Sequence, residues 1–195
     1  MEEVKVLNKE VEIKLLEIEE KKFIDRILKF GALENGNFFQ RRYVYDFNPI
    51  DANRWIRLRT NGKITTLAIK EILDKNAIDG VNEIEIVVDD FDKTNDILNL
   101  LGYKARNYQE NYRKVYLLKN TEISIDSWPL ISTYVEIEGK SKEDVLEILE
   151  LVKDCGRETT LDVDSIYKEI YGIDMKKIKE LKFEVDSSES VLEYH

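Results

Sequence analysis

Over residues 10–15 the chain alternates charged with aliphatic residues: Glu10, Glu12 and Lys14 are interleaved with Val11, Ile13 and Leu15. Residues two apart share a face of a β-strand, so this stretch predicts a strand with one charged and one apolar side. The alternation returns at Arg57-Leu58-Arg59, Glu83-Ile84-Glu85 and Glu136-Ile137-Glu138, and Lys70 and Arg113 stand in strand-like surroundings. Directly after the first strand the period changes. Phe23, Ile24, Ile27, Leu28 and Phe30 fall on one helical face across 19–30, and Gly31 supplies a C-cap.

Phe39, Tyr43, Tyr45 and Phe47 predict a strand over 37–47, ended by Asn48-Pro49. Residues 54–59 and 64–72 read as a hairpin turning at Asn61-Gly62, with 82–88 as the next strand. Asp90 is placed to cap a helix to Leu101, stopped by Gly102. Strands are expected over 103–118, 122–126 and 133–138, with a turn at Lys119-Asn120. Ser141-Lys142-Glu143-Asp144 is a capping-box type of start for a helix to about Lys153. Another helix is expected over 165–171, closed by Gly172. Residues 175–195 are charged and without a period, and read as an appended helix with a loosely held tail. The tally is about eight strands, mostly hairpin-connected, with two inserted helices and a helical C-terminus. The class is α+β, divided as a domain over 1–174 and a charged extension over 175–195.

Composition narrows the chemistry. At 195 residues and 43% apolar content the chain can bury one core. A formal net charge of −10 argues against a nucleic-acid polymer as partner. Cys155 is the only cysteine and His195 the only histidine, which excludes an internal disulfide, a Ser-His-Asp triad and a His-ligated zinc. Any metal is then hard and oxygen-bound, with Mg²⁺ or Mn²⁺ leading. No stretch reaches the roughly 18 apolar residues of a membrane span, and the N-terminus carries no apolar leader segment. A cytoplasmic protein without a membrane partner is expected.

Several charged-face strands turned toward one another would line a cavity with carboxylates and cations, a lining suited to a polyphosphate held with divalent metal. Two plainer readings compete. Glu-x-Glu can be the wet face of an ordinary antiparallel sheet, and Arg57 and Arg59 can pair across strands with Glu83 and Glu85. A site is favoured by the uniform charge within each strand and by the guanidinium fork, which grips phosphate oxygens in pairs. Trp55, Trp128 and the ten tyrosines read as packing residues.

Taken in order, these motifs resemble the CYTH superfamily, the triphosphate tunnel metalloenzymes, over about residues 8–172. The resemblance starts at Glu10-Val11-Glu12-Ile13-Lys14 and continues through Phe30-Gly31-Ala32, Arg57-Leu58-Arg59, Leu67-Ala68-Ile69-Lys70 and Glu83-Ile84-Glu85. It then takes in Leu101-Gly102-Tyr103, Arg113, Asp126-Ser127-Trp128-Pro129 and Tyr134-Val135-Glu136-Ile137-Glu138-Gly139. It implies a closed antiparallel eight-stranded β tunnel with flanking helices, holding a triphosphate and Mg²⁺ or Mn²⁺. It implies metal ligation by Glu10, Glu12, Asp126, Glu136 and Glu138. Substrate contacts would come from Lys14, Arg57, Arg59, Lys70 and Arg113, with Glu83 and Glu85 as a middle acidic pair. Glu12, Lys70, Arg113 and Glu136 would be the catalytic group.

Five positions depart from that pattern. Arg42 stands where members often carry Asp, Val44 where an aromatic is usual, and Glu71 where a small residue is usual; Val81 and Asn111 occupy places that are often basic. The resemblance implies metal-dependent hydrolysis of a small-molecule triphosphate (inorganic, thiamine or nucleoside), by a monomer or homodimer. The alternative is a class IV-type adenylate cyclase making cyclic AMP and pyrophosphate. A third reading, motivated by the departures, is a non-catalytic binder of polyphosphate or nucleotide.

Overall fold

The computed structural model describes residues 8–184. Eight strands are antiparallel to their neighbours: β1 (Asn8–Leu16), β2 (Leu33–Asp46), β3 (Arg54–Thr60), β4 (Thr65–Ile72), β5 (Val81–Val88), β6 (Ala105–Leu118), β7 (Thr121–Ser127) and β8 (Tyr134–Gly139). Their spatial order is β6-β2-β3-β4-β5-β1-β8-β7, and β7 pairs back onto β6. The ring is closed, so these strands leave no free edge for another chain to extend. Among the described residues no helix is long and apolar enough to cross a membrane.

The period-two alternation sorts each strand into an outer apolar face and an inner polar one. Outside, Val11, Ile13 and Leu15 of β1 join Ile123, Ile125, Val135 and Ile137 of β7 and β8 in one buried cluster. Two helices cover it, α1 (Glu20–Lys29) with Phe23 and Ile27, and α3 (Lys142–Val152) with Val145, Ile148, Leu149 and Val152. On the far side α2 (Phe91–Leu100) lays Phe91 and Leu98 over Tyr45, Ile56 and Leu58. The helices keep apolar faces dry; the strands turn their charges inward.

Local signals set the helix ends. Asp90 accepts from the Lys93 N–H at 2.9 Å and Ser141 from the Asp144 N–H at 3.1 Å, each satisfying one free donor of a first turn. Gly31 adopts φ +91, and the Gly31 and Ala32 N–H groups donate to the carbonyls of Leu28 and Ile27 at 3.0 and 3.1 Å. Strand β2 starts at Leu33 rather than 37, because pairing with β6 continues past an irregularity between Glu34 and Gly36. Gly36 holds φ +149 there, and a Cβ would lie 2.5 Å from the Phe38 ring.

After α3 come β9 (Arg157–Thr159), paired with β1, a short helix Val163–Ser165 and a π turn Ile166–Ile170. The appended helix expected over 175–195 is not found in the described part of that stretch. Residues 175–184 instead hold one 3-10 turn, Met175–Lys177, and a short strand β10 (Glu180–Leu181) that runs parallel to β6. Burial explains the difference: Met175 and Leu181 are anchored in a cluster with Leu16, Trp128, Tyr134, Ile166 and Tyr167. Backbone bonding then holds the extended path, with the Tyr108 N–H donating to the Lys179 carbonyl at 2.9 Å. Residues 185–195 lie outside the described part. Leu16 and Tyr134 follow the inward phase of β1 and β8, so the same apolar cluster fills the tunnel interior next to the charged positions.

Candidate functional site

Strand register decides which charges meet. Glu12 stands opposite Glu138 and Lys14 opposite Glu136 across β1 and β8. Lys70 stands opposite Glu83 across β4 and β5, and Arg42 opposite Arg59 across β2 and β3. Twelve side chains were singled out from sequence, and all but Asp126 line one cavity of about 580 Å³ inside the tunnel.

One wall is acidic. Carboxylate oxygens of Glu12, Glu136 and Glu138 all lie within 4.8 Å of one another. Burial pushes the Glu138 carboxyl up, and Glu136, Glu12 and Glu10 add to the effect, bringing it to about 7. Burial also works to raise Glu136, but Arg113, Lys14 and Lys70 outweigh it and hold that carboxyl well below the usual range. Glu10 is raised by burial against the pull of Lys70, whose Nζ lies 2.7 Å from its Oε2. Three mutually close carboxylates, one of them near neutral pH in its titration, form a hard oxygen donor set. Such a set fits Mg²⁺ or Mn²⁺.

The other walls are cationic and mostly paired. Arg57 reaches Glu83 at 2.8 Å and Glu85 at 3.0 Å, and Arg59 reaches Glu85 at 3.4 Å. Burial would raise Glu83 and Glu85, but their arginine partners bring both below the ordinary range. Lys14, 2% exposed, donates to Glu12 and lies 3.5 Å from Glu136. Its burial is outweighed by these two carboxylates, which keep it firmly charged. Arg59 is pulled down to about 10 by neighbouring Arg57 and by burial.

Asp126 sits apart from the acidic triad. It is fully buried, accepts from Arg113 Nε at 2.9 Å and Nη2 at 2.6 Å, and takes the Asn111 amide at 2.8 Å. Arg113 in turn reaches Glu136 at 3.1 Å. Asp126 therefore fixes a guanidinium whose other edge faces the acidic wall.

Among the lining residues outside the twelve are two further arginines carried on β2 and β6, Arg42 and Arg106. Arg106 bridges Asp46 and Asp164 at 2.8 and 2.9 Å where the chain after α3 meets the tunnel. Its even number puts it out of phase with Arg113 on β6, and an irregularity between Val44 and Tyr45 in the β2–β6 pairing breaks the phase there. Sequence alternation alone could not place it. Arg42 was visible in sequence as a departure, and the structure brings it to the cavity beside the other arginines.

Comparisons with known proteins agree with this architecture. No curated protein matches the chain. A conserved hypothetical protein from Pyrococcus furiosus superposes with a TM-score of 0.65 at 24% identity, covering 76% of this chain and 94% of that one. The PH1012 protein from Pyrococcus horikoshii gives 0.65 at 21% identity, covering 79% and 92%. A Vibrio parahaemolyticus protein described as a "putative adenylate cyclase" gives 0.68 at 14% identity, covering 85% and 99%. These likenesses establish the fold. The model of the family described as CYTH domain matches residues 8–171, most of the described chain and every strand of the closed ring, and the chain belongs to that family.

Proposed function

We propose that the tunnel binds a small-molecule triphosphate with a divalent metal ion and hydrolyses it. Members of the family are typically enzymes, triphosphatases or cyclases. The observation that carries the reading is the segregation inside one cavity. Glu12, Glu136 and Glu138 converge on one wall, while Arg57, Arg59, Arg113, Lys14 and Lys70 supply cations around it.

Arg57 and Arg59 offer planar forks suited to paired phosphate oxygens, and Arg113, held by Asp126 through Nε and Nη2, has Nη1 left to donate. Lys14 and Lys70 add point charges beside the acidic wall, next to Glu12 and Glu136 and next to Glu10. Glu12, Glu136 and Glu138 would hold Mg²⁺ or Mn²⁺, with Glu10 beside them, and Asp126 would act through Arg113. A bound divalent ion supplies charge neutralisation at the reacting phosphoryl oxygens and lowers the pKa of a bound water. With water as nucleophile the protein's work is positioning and charge stabilisation, which asks for neither a histidine nor a cysteine.

A nucleoside triphosphate as substrate, and with it cyclase chemistry, is the second reading. Its support is cavity size and lining. About 580 Å³ is within the range that holds a drug-sized ligand and more than a bare phosphate chain requires, and Trp55, Ile72 and Val81 supply apolar lining. The Vibrio parahaemolyticus neighbour points the same way through its description.

A product-resolved assay with inorganic triphosphate, thiamine triphosphate and ATP, each under Mg²⁺ and Mn²⁺, tests both. Orthophosphate or pyrophosphate release without cyclic AMP supports hydrolysis and ranks the substrates. Cyclic AMP with equimolar pyrophosphate selects the cyclase, and no product from any of the three removes both readings.

A further inference from the structure

The cations that the strands turn into the tunnel are nearly all matched. Lys14, Arg57, Arg59, Lys70, Arg106 and Arg113 each lie within 4 Å of at least one carboxylate oxygen. Arg42 does not. It is 6% exposed, lines the cavity, and among the described residues no carboxylate lies within ion-pair distance of it.

Its surroundings hold it in place without neutralising it. One edge donates to neutral acceptors, Gln40 Oε1 at 3.0 Å and Asn111 Oδ1. Its face stacks over Trp128, 4.5 Å from the ring centroid. The nearest acid in the network, Asp126, is reached through the Asn111 amide and is already occupied by Arg113. Burial disfavours the charge, and Arg59, Arg57 and Arg113 repel it. A guanidinium does not shed its proton in such a place, so the positive charge persists.

Donors also outnumber acceptors here. Arg42 Nε, Trp128 Nε1 and Tyr134 Oη are buried without a partner, and all three residues line the cavity. Burial, with Asp126 and Glu136 nearby, raises the Tyr134 phenol well above its ordinary value, so it stays a donor.

We infer that Arg42, flanked by Trp128 and Tyr134, forms an additional phosphoryl-binding subsite of the tunnel. It would take one end of a linear polyphosphate, whether free or carried on a nucleoside. The inference rests on the proposed triphosphate reading and adds to it a phosphoryl-binding residue outside the twelve.

The test is calorimetry with inorganic tripolyphosphate, with and without saturating Ca²⁺ and at low salt, on the wild type, Arg42→Gln and Arg42→Lys. Ligand-free thermal melts and Mn²⁺ titrations accompany it. Arg42→Gln is expected to melt cooperatively, to bind Mn²⁺ as the wild type does, and to bind tripolyphosphate roughly 10–100-fold more weakly. Arg42→Lys should lie between, several-fold weaker than wild type, because the charge returns without the fork. Equal tripolyphosphate affinity in wild type and Arg42→Gln overturns the subsite and leaves the triphosphate reading standing. A wild type that binds no tripolyphosphate, with or without Ca²⁺, overturns both. If Arg42→Gln does not fold, Arg42→Lys decides, and wild-type affinity in that variant overturns the subsite.

Discussion

Glu138→Gln should stabilise the ligand-free protein at pH 8 and do nothing for it at pH 4.5. The Glu138 carboxyl is moved from 4.5 to about 7 by burial and by Glu136, Glu12 and Glu10. A carboxyl raised in the folded state holds its proton more tightly there than in the unfolded chain. Its contribution to stability is therefore full below about pH 4.5 and is lost as pH climbs through 7. A shift of that size corresponds to about 3.4 kcal/mol at most. Glu138 is only partly buried and its neighbours can relax, so about 1–2 kcal/mol is the expected cost above pH 7. Removing the charge returns that amount, a rise in Tm of about 2–8 °C for a chain of this length. The assay is a pair of thermal melts in chelator from pH 4.5 to 8.5, read as the difference between variant and wild type. The difference cancels the other titrating groups, including Glu83 and Glu85. Added Mn²⁺ should then lift the wild-type melt more than that of the variant, which has lost a donor. A variant that is neutral or destabilised at pH 8, with no trend toward low pH, would refute the crowding of charge at this wall.

Two further outcomes probe the frame around the site. Arg113→Met leaves the fully buried Asp126 with the Asn111 amide alone; a loss of about 3–5 kcal/mol is expected in chemical denaturation, partly recovered by adding Asp126→Asn. Asp90→Ala removes the side chain that accepts from the Lys93 N–H. It should lower stability by about 1 kcal/mol and leave tripolyphosphate affinity unchanged, since α2 packs outside the ring.

Strand phase was the legible part of this fold, because a period of two states directly which residues share a face. Glu10, Glu12 and Lys14 had to point opposite to Val11, Ile13 and Leu15, and the structure places the first set in the cavity and the second in the core. Turn and cap residues were equally readable: Asp90, Ser141, Gly31 and Gly102 act through local bonding that needs no tertiary context. Irregular pairing was not readable. The bulges at Glu34–Gly36 and Val44–Tyr45 shift β2 against β6, moving the start of one strand and turning Arg106 inward. Residues 175–184 failed for a different reason. Met175 and Leu181 are two isolated apolar anchors in a charged stretch, too few to set a period, and only the cluster around Trp128 and Tyr167 gives them a place. Asp126 shows the limit for chemistry, since sequence names a carboxylate but not the guanidinium that occupies both of its oxygens.

The pairing inside the tunnel has a consequence for how ligands enter. With Arg57 on Glu83 and Glu85, Lys70 on Glu10, and Lys14 between Glu12 and Glu136, the ligand-free lining largely neutralises itself. An anion arriving alone must draw cations from carboxylates that then stand buried and unpaired, at a cost of several kcal/mol. A divalent cation arriving alone meets the converse difficulty, because Lys14 remains beside its donors. Entering together, each ligand compensates the groups the other displaces. Metal and polyphosphate should therefore bind cooperatively, with a coupling of about 1–3 kcal/mol, or about 5–150-fold in affinity. Tripolyphosphate binding with and without saturating Ca²⁺, corrected for the metal–polyphosphate complex in solution, measures it. Glu12→Gln should shrink the coupling while tightening metal-free anion binding, since it frees Lys14 from one partner. Equal anion affinity with and without metal would mean that the carboxylate and cation walls act independently, despite Lys14 touching both.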